Sequence, residues 1–152
     1  MPDLHSPVVC LVDDDASVRK SITRLLDSAG FKVESFSEPE AFLAYLVKHP
    51  VRLAVLDIWM DNMTGMELLA HLCARSPSTR VIFVTGHEDH AAETTVMQAG
   101  AFAFFIKPLD NARFLGAVQR ALNHTSPGKN SGPETGSRPV SASASLDTRT
   151  KV

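Results

Sequence analysis

Short apolar runs alternate along the chain with segments whose apolar residues return at helical spacing. The runs are Val8-Val9-Cys10-Leu11-Val12, Lys32-Val33-Glu34-Ser35-Phe36, Leu53-Ala54-Val55-Leu56, Val81-Ile82-Phe83-Val84 and Ala101-Phe102-Ala103-Phe104-Phe105-Ile106. Their length and β-branched character fit strands, and most are continuous enough to be covered on both faces. Between them, Val18, Ile22, Leu25, Leu26 and Ala29 share one helical face, with Gly30 as the stop. Glu40, Ala41, Phe42, Leu43 and Leu46 outline a short second helix that ends before Pro50. Met66, Leu69, Leu72 and Cys73 outline a third, and Ala92, Val96 and Met97 a weaker fourth stopped by Gly100. Phe114, Leu115, Val118, Ala121 and Leu122 outline a fifth. Nearly all of the Leu, Ile, Val and Phe side chains among them are expected in the core. Strands alternating with helices predict an α/β fold whose parallel sheet is covered on both faces.

The pattern stops after His124. Residues 125–152 contain no aromatic residue and no periodic apolar face, and Ser, Thr, Gly and Pro dominate. Such a segment buries too little apolar surface to offset its ordering entropy. The expectation is one folded domain over 1–124 and a flexible, disordered Ser/Gly/Pro-rich tail or linker over 125–152.

Composition narrows the class. Hydrophobic residues make up 44% of the 152, enough for a core. Lys and Arg number 15 against 17 Asp and Glu, a formal charge of -2, which argues against a general nucleic-acid-binding surface. The start, Met1-Pro2-Asp3-Leu4-His5, lacks the pattern of a signal peptide. Cys10 and Cys73 show no metal-ligand or redox spacing and read as reduced, packed small hydrophobes. A cytoplasmic location is therefore expected.

Candidate chemistry sits just past the strand ends, where parallel sheets bind ligands. Asp13, Asp14 and Asp15 follow the first strand, and Asp57 ends the third. Thr85-Gly86 ends the fourth, and Lys107-Pro108 follows the fifth. The fold would gather several carboxylates, a hydroxyl and an amine into one pocket. Crowded carboxylates repel, and a hard divalent cation such as Mg2+ relieves that repulsion. A metal beside Asp57 would let its carboxylate act as nucleophile toward a phosphoryl group. Lys107 and the Thr85 hydroxyl would then hold phosphoryl oxygens, and Gly86 would leave the approach open. Taken singly, each residue has a plainer reading. Asp15 reads as a helix N-cap, Thr85-Gly86 as a turn, and Asp57 and Lys107 as surface charges. Agreement at all four strand ends is what favours the site.

The motifs that carry a family resemblance are Val12-Asp13-Asp14-Asp15-Ala16-Ser17-Val18-Arg19-Lys20-Ser21, Leu56-Asp57-Ile58-Trp59-Met60, Met63-Thr64-Gly65-Met66-Glu67-Leu68, Ile82-Phe83-Val84-Thr85-Gly86-His87 and the stretch from Ala99 to Pro108. In this order they resemble the receiver domains of two-component response regulators, particularly of the FixJ type, from about Pro7 to about Asn123. The resemblance implies a flavodoxin-like (CheY-like) doubly wound sheet of order 2-1-3-4-5 with five helices. It implies Asp57 as phospho-acceptor and Mg2+ as cofactor, with Mn2+ as a substitute. Asp13, Asp14, Asp57 and the Trp59 backbone carbonyl are the implied metal ligands. Thr85 is the implied switch hydroxyl and Phe104 the aromatic that rotates with it, although the residues alone read Phe104 equally well as a static core aromatic. The Lys107-Pro108 bond resembles one that is usually cis in the family.

The implied partners are a sensor histidine kinase or a histidine phosphotransfer protein, and a second copy through the face of the fourth helix, fifth strand and fifth helix. No direct nucleic-acid or membrane binding is expected, nor action as an enzyme on an external substrate. A stand-alone receiver is the favoured reading. The alternative is the receiver part of a FixJ-type DNA-binding transcription regulator whose helix-turn-helix lies outside the chain. A Mg2+-dependent aspartyl phosphohydrolase would need an acid two residues after its nucleophile, where this chain has Trp59. Departures from the family pattern are Asp61 in place of Pro, and Glu88 in place of Gly. Trp59 and His87 are expected to flank the phosphoryl group and limit access of hydrolytic water.

Overall fold

A computed structural model of the chain describes residues 7–86 and 88–123. The expected tail over 125–152 and the position of His87 lie outside the described residues. The elements run β1 (Val8–Val12), α1 (Ala16–Ser28), β2 (Lys32–Phe36), α2 (Pro39–Lys48), β3 (Leu53–Leu56), α3 (Gly65–Arg75), β4 (Arg80–Thr85), α4 (His90–Gln98), β5 (Ala103–Ile106) and α5 (Asn111–Asn123). All strand pairs are parallel, in the order β2-β1-β3-β4-β5. The alternating pattern therefore gave both the fold class and the number of elements.

Side chains that alternate along each strand build two cores. Cys10, Val12, Ala54, Leu56 and Phe83 pack on one face with Phe42, Leu68, Leu72 and Val96 from α2, α3 and α4. Val9, Leu11, Leu53, Val55 and Ile82 pack on the other with Ile22, Leu26, Phe114 and Val118 from α1 and α5. The central strands β3 and β4 are buried almost throughout. The outer strands are not: β2 and β5 are half-exposed, and β2 presents Lys32 and Glu34 to solvent. An edge strand has a neighbour on one side only, and charge there discourages pairing with other chains.

Five side chains of these apolar patterns are exposed instead: Ala29, Ala41, Cys73, Met97 and Ile106. Ala29 is the C-cap of α1, at the turn where Gly30 takes φ 93°. Cys73 and Met97 each follow a buried residue on their helix, and one step around a helix turns a side chain about 100° toward solvent. β5 also begins later than the apolar run suggests. Gly100 has φ 111°, and the Ala101 amide is spent on the Val96 carbonyl at 2.9 Å, closing α4.

The helix starts gather negative charge at the carboxyl ends of the strands. Asp15 caps α1, accepting from the amides of Ser17 at 2.9 Å and Val18 at 3.3 Å. Thr64 and Glu67 form a reciprocal capping box at α3. Asp89 caps α4, and Asp110 accepts from the Arg113 amide at 3.1 Å. Carboxylates at helix N-termini are favoured by the helix dipole. The rim that carries the candidate chemistry is thus acidic for structural reasons as well.

Candidate functional site

The sheet brings Asp13, Asp14, Asp57, Thr85 and Lys107 to one rim. β1 and β3 are neighbours, and the Asp57 amide continues their ladder to the Val12 carbonyl at 3.1 Å. β4 and β5 are neighbours too, and the Lys107 amide donates to the Thr85 carbonyl at 2.8 Å. The following Lys107-Pro108 bond is cis.

Asp13 is 1% exposed and fully engaged. One carboxylate oxygen accepts from the Asp15 amide at 2.9 Å, and the other from Lys107 Nζ at 3.0 Å. Arg19 Nη1 donates to the Asp13 carbonyl at 2.7 Å, which braces the β1–α1 turn. Asp57 is buried as well. Its Oδ1 accepts from the Trp59 amide at 3.3 Å, and its Oδ2 lies 3.5 Å from Lys107 Nζ. One ammonium thus bridges two buried carboxylates far apart in sequence. Burial first, and then the nearby Asp13 charge, push the Asp57 carboxyl above its ordinary range; Lys107 and the Trp59 amide pull the other way.

Asp14 is exposed, yet one carboxylate oxygen from each of Asp13, Asp14 and Asp57 lies within 4.8 Å of the others. Three such oxygens exceed the charge of the single ammonium. The donor set is the hard, oxygen-only kind that suits Mg2+ rather than a softer metal.

Thr85 is fully buried at the end of β4. Phe104 is half-buried on β5 and packs on the same core face that Phe83 occupies. The register sets Phe83 opposite Phe104 and Thr85 opposite Ile106, so Thr85 and Phe104 are diagonal neighbours on one face. Trp59 is 42% exposed and stands at the rim. Gly86 has open space around it: an added Cβ would meet no heavy atom within 4 Å. Asp61 is exposed and lines a cleft with Asp14, Glu38 and Asn62 beside the acids. Glu88 is exposed, and its carboxylate lies 3.9 Å from His90 Nε2.

Two residues of the site escaped the sequence reading. Gly65 lay inside a quoted motif, but its role did not show. A Cβ there would stand 2.3 Å from the Asp57 carbonyl oxygen and 2.8 Å from Phe83 Cε1. The signal was a glycine in the first turn of a helix, where alanine would favour the helix. Arg19 likewise read only as part of a motif.

A family model described as the response regulator receiver domain matches residues 9–119. The chain belongs to the response regulator receiver family. The transcriptional regulatory protein FixJ of Azorhizobium caulinodans is 37% identical over 77% of this chain and 56% of its own length. The full-length FixJ crystal structure from B. japonicum superposes with a TM-score of 0.74 at 33% identity, covering 80% of this chain and 60% of that one. The beryllofluoride-activated NtrC4 receiver domain dimer gives 0.72 at 26% identity, over 75% of this receiver and 94% of that chain. The receiver chain spans just over half the length of the curated FixJ relatives it matches. Among the described residues, no helix is long and apolar enough to cross a membrane.

Proposed function

We propose that this receiver takes a phosphoryl group from a phosphohistidine onto Asp57 and passes the event to a partner as a change of shape. The observation that carries the reading is the Lys107 ammonium 3.0 Å from Asp13 and 3.5 Å from Asp57, beside a third carboxylate. An Asp57 carboxylate oxygen attacks phosphorus, and the P–N bond to the donor imidazole breaks. The bonding pair leaves with the imidazole nitrogen, which takes its proton from solvent. Asp13, Asp14, Asp57 and the Trp59 backbone carbonyl would hold Mg2+, or Mn2+ in its place. When bound, the cation supplies charge neutralisation at the phosphoryl oxygens.

The chain's own residues do the positioning. Lys107 holds the Asp57 carboxylate in place and then faces the new phosphoryl oxygens as a point charge. The Thr85 hydroxyl donates to another of those oxygens. Its movement frees room on the core face that Phe104 shares, and Phe104 turns inward to fill it. The face of α4, β5 and α5 then changes, and a second copy is its partner there. Trp59 and Gly86 border the route by which water reaches the phosphoryl group; the role expected of His87 there lies outside the described residues. The donor is a sensor histidine kinase or a histidine phosphotransfer protein. The role is that of a switch rather than of an enzyme on an external substrate.

A second reading rests on coverage. The FixJ relatives named as transcriptional regulators extend to nearly twice the matched length, so the output can be a DNA-binding part joined to the receiver.

The test is incubation with Mg2+ and phosphoramidate, read by intact mass. One labile phosphoryl adduct is expected, absent in Asp57→Ala and absent with chelator. An adduct that survives in Asp57→Ala would remove Asp57 from its role. Trp59→Ala should shorten the adduct's half-life, and an unchanged half-life would sink the water-access role.

A further inference from the structure

In a parallel sheet all strands begin at one rim. Here that rim is opposite the Asp57 site and differs from it in charge. The last turns of the helices, the loops after them and the first residues of the strands carry Lys32, Lys48, Arg52, Arg75, Arg80 and Arg120. The single carboxylate in those described segments is Asp27. Lys48, Arg75 and Arg120 sit in last helical turns, where the helix dipole accounts for a cation. Arg52 and Arg80 precede or begin strands, so the dipole does not account for them.

Those two arginines are neighbours. The Arg80 amide donates to the Arg52 carbonyl at 2.9 Å, on adjacent strands. The Arg80 guanidinium is half-buried and lies over the Phe102 ring, 5.7 Å from its centroid. The exposed Arg52 donates Nη2 to the Leu122 carbonyl near the end of α5. No carboxylate pairs with either among the described residues. Burial first, and then the nearby Arg52 charge, push the Arg80 guanidinium below its ordinary pKa. The adjoining Ser76–Thr79 loop is fixed rather than loose, because Thr79 Oγ1 donates to the Val51 carbonyl at 2.6 Å and meets Ser76 Oγ at 2.6 Å.

We propose that the Arg52–Arg80 pair is a phosphate-type oxyanion site on the rim opposite Asp57. Two arginines on adjacent strands, with no carboxylate partner among the described residues, supply the planar donor forks that suit a tetrahedral oxyanion. Phe102 holds one fork in place beforehand. The ligand competes with the Leu122 carbonyl for Arg52, so occupancy is felt in the last turn of α5, the element from which the chain continues. This site is independent of the phosphoryl chemistry at Asp57.

Two sources share this chemistry, a free phosphate compound and the phosphate backbone of a nucleic acid. The test titrates the full chain, isotope-labelled and free of divalent metal, with inorganic phosphate and separately with a short DNA duplex. Ionic strength is matched with sodium chloride. Saturable shifts are expected at the amides of Arg80, Phe102 and Leu122. Losing one charge-assisted fork in Arg80→Gln should weaken binding about tenfold or more, and Arg52→Gln should do the same. Arg80→Lys, which keeps the charge and the fold, should fall between. Saturation by inorganic phosphate supports a free phosphate ligand. Saturation by the duplex alone, with affinity falling steeply as salt rises, supports a nucleic-acid backbone. No saturable shift with either probe, or wild-type binding in both glutamine variants, overturns the site.

Discussion

The two rims of the sheet handle charge in opposite ways. At the carboxyl rim, charges of opposite sign interleave inside the fold: Lys107 reaches between Asp13 and Asp57, all of them at least largely buried. At the amino rim, charges mostly of one sign stand at or near the surface, and the arginines have backbone carbonyls and an aromatic ring for company. A buried pair can be strongly destabilising to break, because the survivor is left without a partner. A surface charge can be removed at little cost, because water replaces what is lost. The difference teaches where this protein is fragile and where it is free to vary. It also separates groups tuned to one another from groups open to a ligand.

The sharpest way to break the contrast is Lys107→Met. It leaves Asp13 at 1% exposure without its ammonium. The expected loss is about 3 kcal/mol of unfolding free energy in metal-free protein, measured by urea denaturation. Mg2+ should restore more stability to this variant than to the wild type. A loss under about 1 kcal/mol would mean that the carboxyl rim behaves like an ordinary surface. Gly65→Ala comes next. The new Cβ would press on the Asp57 carbonyl oxygen and the Phe83 ring, and relief requires backbone movement. Overpacking of this kind costs about 1–3 kcal/mol. The rate of adduct formation should fall along with stability, since the displaced atom belongs to the acceptor residue.

How much of this was legible in the sequence differs between the rims. The carboxyl rim could be read because its chemistry follows strand ends, and strand ends are visible in an apolar pattern. Asp57, Thr85 and Lys107 each close an apolar run. The Lys107–Asp13 pair was not legible, since 94 residues separate the partners and only the β1-β3-β4-β5 order brings them together. Gly65 was hidden for a similar reason: its close approach involves Asp57 and Phe83 on two other elements. The amino rim was invisible. A net charge of -2 averages an acidic end with a basic one, and no spacing in the sequence marks Arg52 and Arg80 as neighbours. Periodicity also overreached by one residue at Cys73 and Met97, where a helical face is narrower than the apolar run that suggests it.

A gentler probe of the carboxyl rim is pH. Burial and Asp13 raise the Asp57 pKa in the metal-free fold. Between its ordinary and its raised value, the folded chain holds a proton that the unfolded chain has released. Stability therefore falls as pH rises through that window. Asp57→Asn removes the titrating group. The variant should be more stable than the wild type above the window, and the advantage should shrink as pH drops toward the ordinary carboxylate range. Urea denaturation in chelator across a pH series checks the sign. An advantage that grows toward low pH would reverse the assignment of burial and Asp13 as the controlling influences.

The smallest effect belongs to the amino rim. Arg80→Gln gives up the contact with the Phe102 ring but also relieves the repulsion from Arg52. A cation over an aromatic ring at a partly exposed site is worth about 0.5–1 kcal/mol, and the relief offsets part of it. The net change should lie within about 0.5 kcal/mol of zero, several times smaller than for Lys107→Met. Added sodium chloride should narrow even that difference, because it screens exposed like charges far better than buried opposite ones. A large loss in Arg80→Gln, insensitive to salt, would place this arginine among the structural charges of the fold. The two rims would then differ in sign alone.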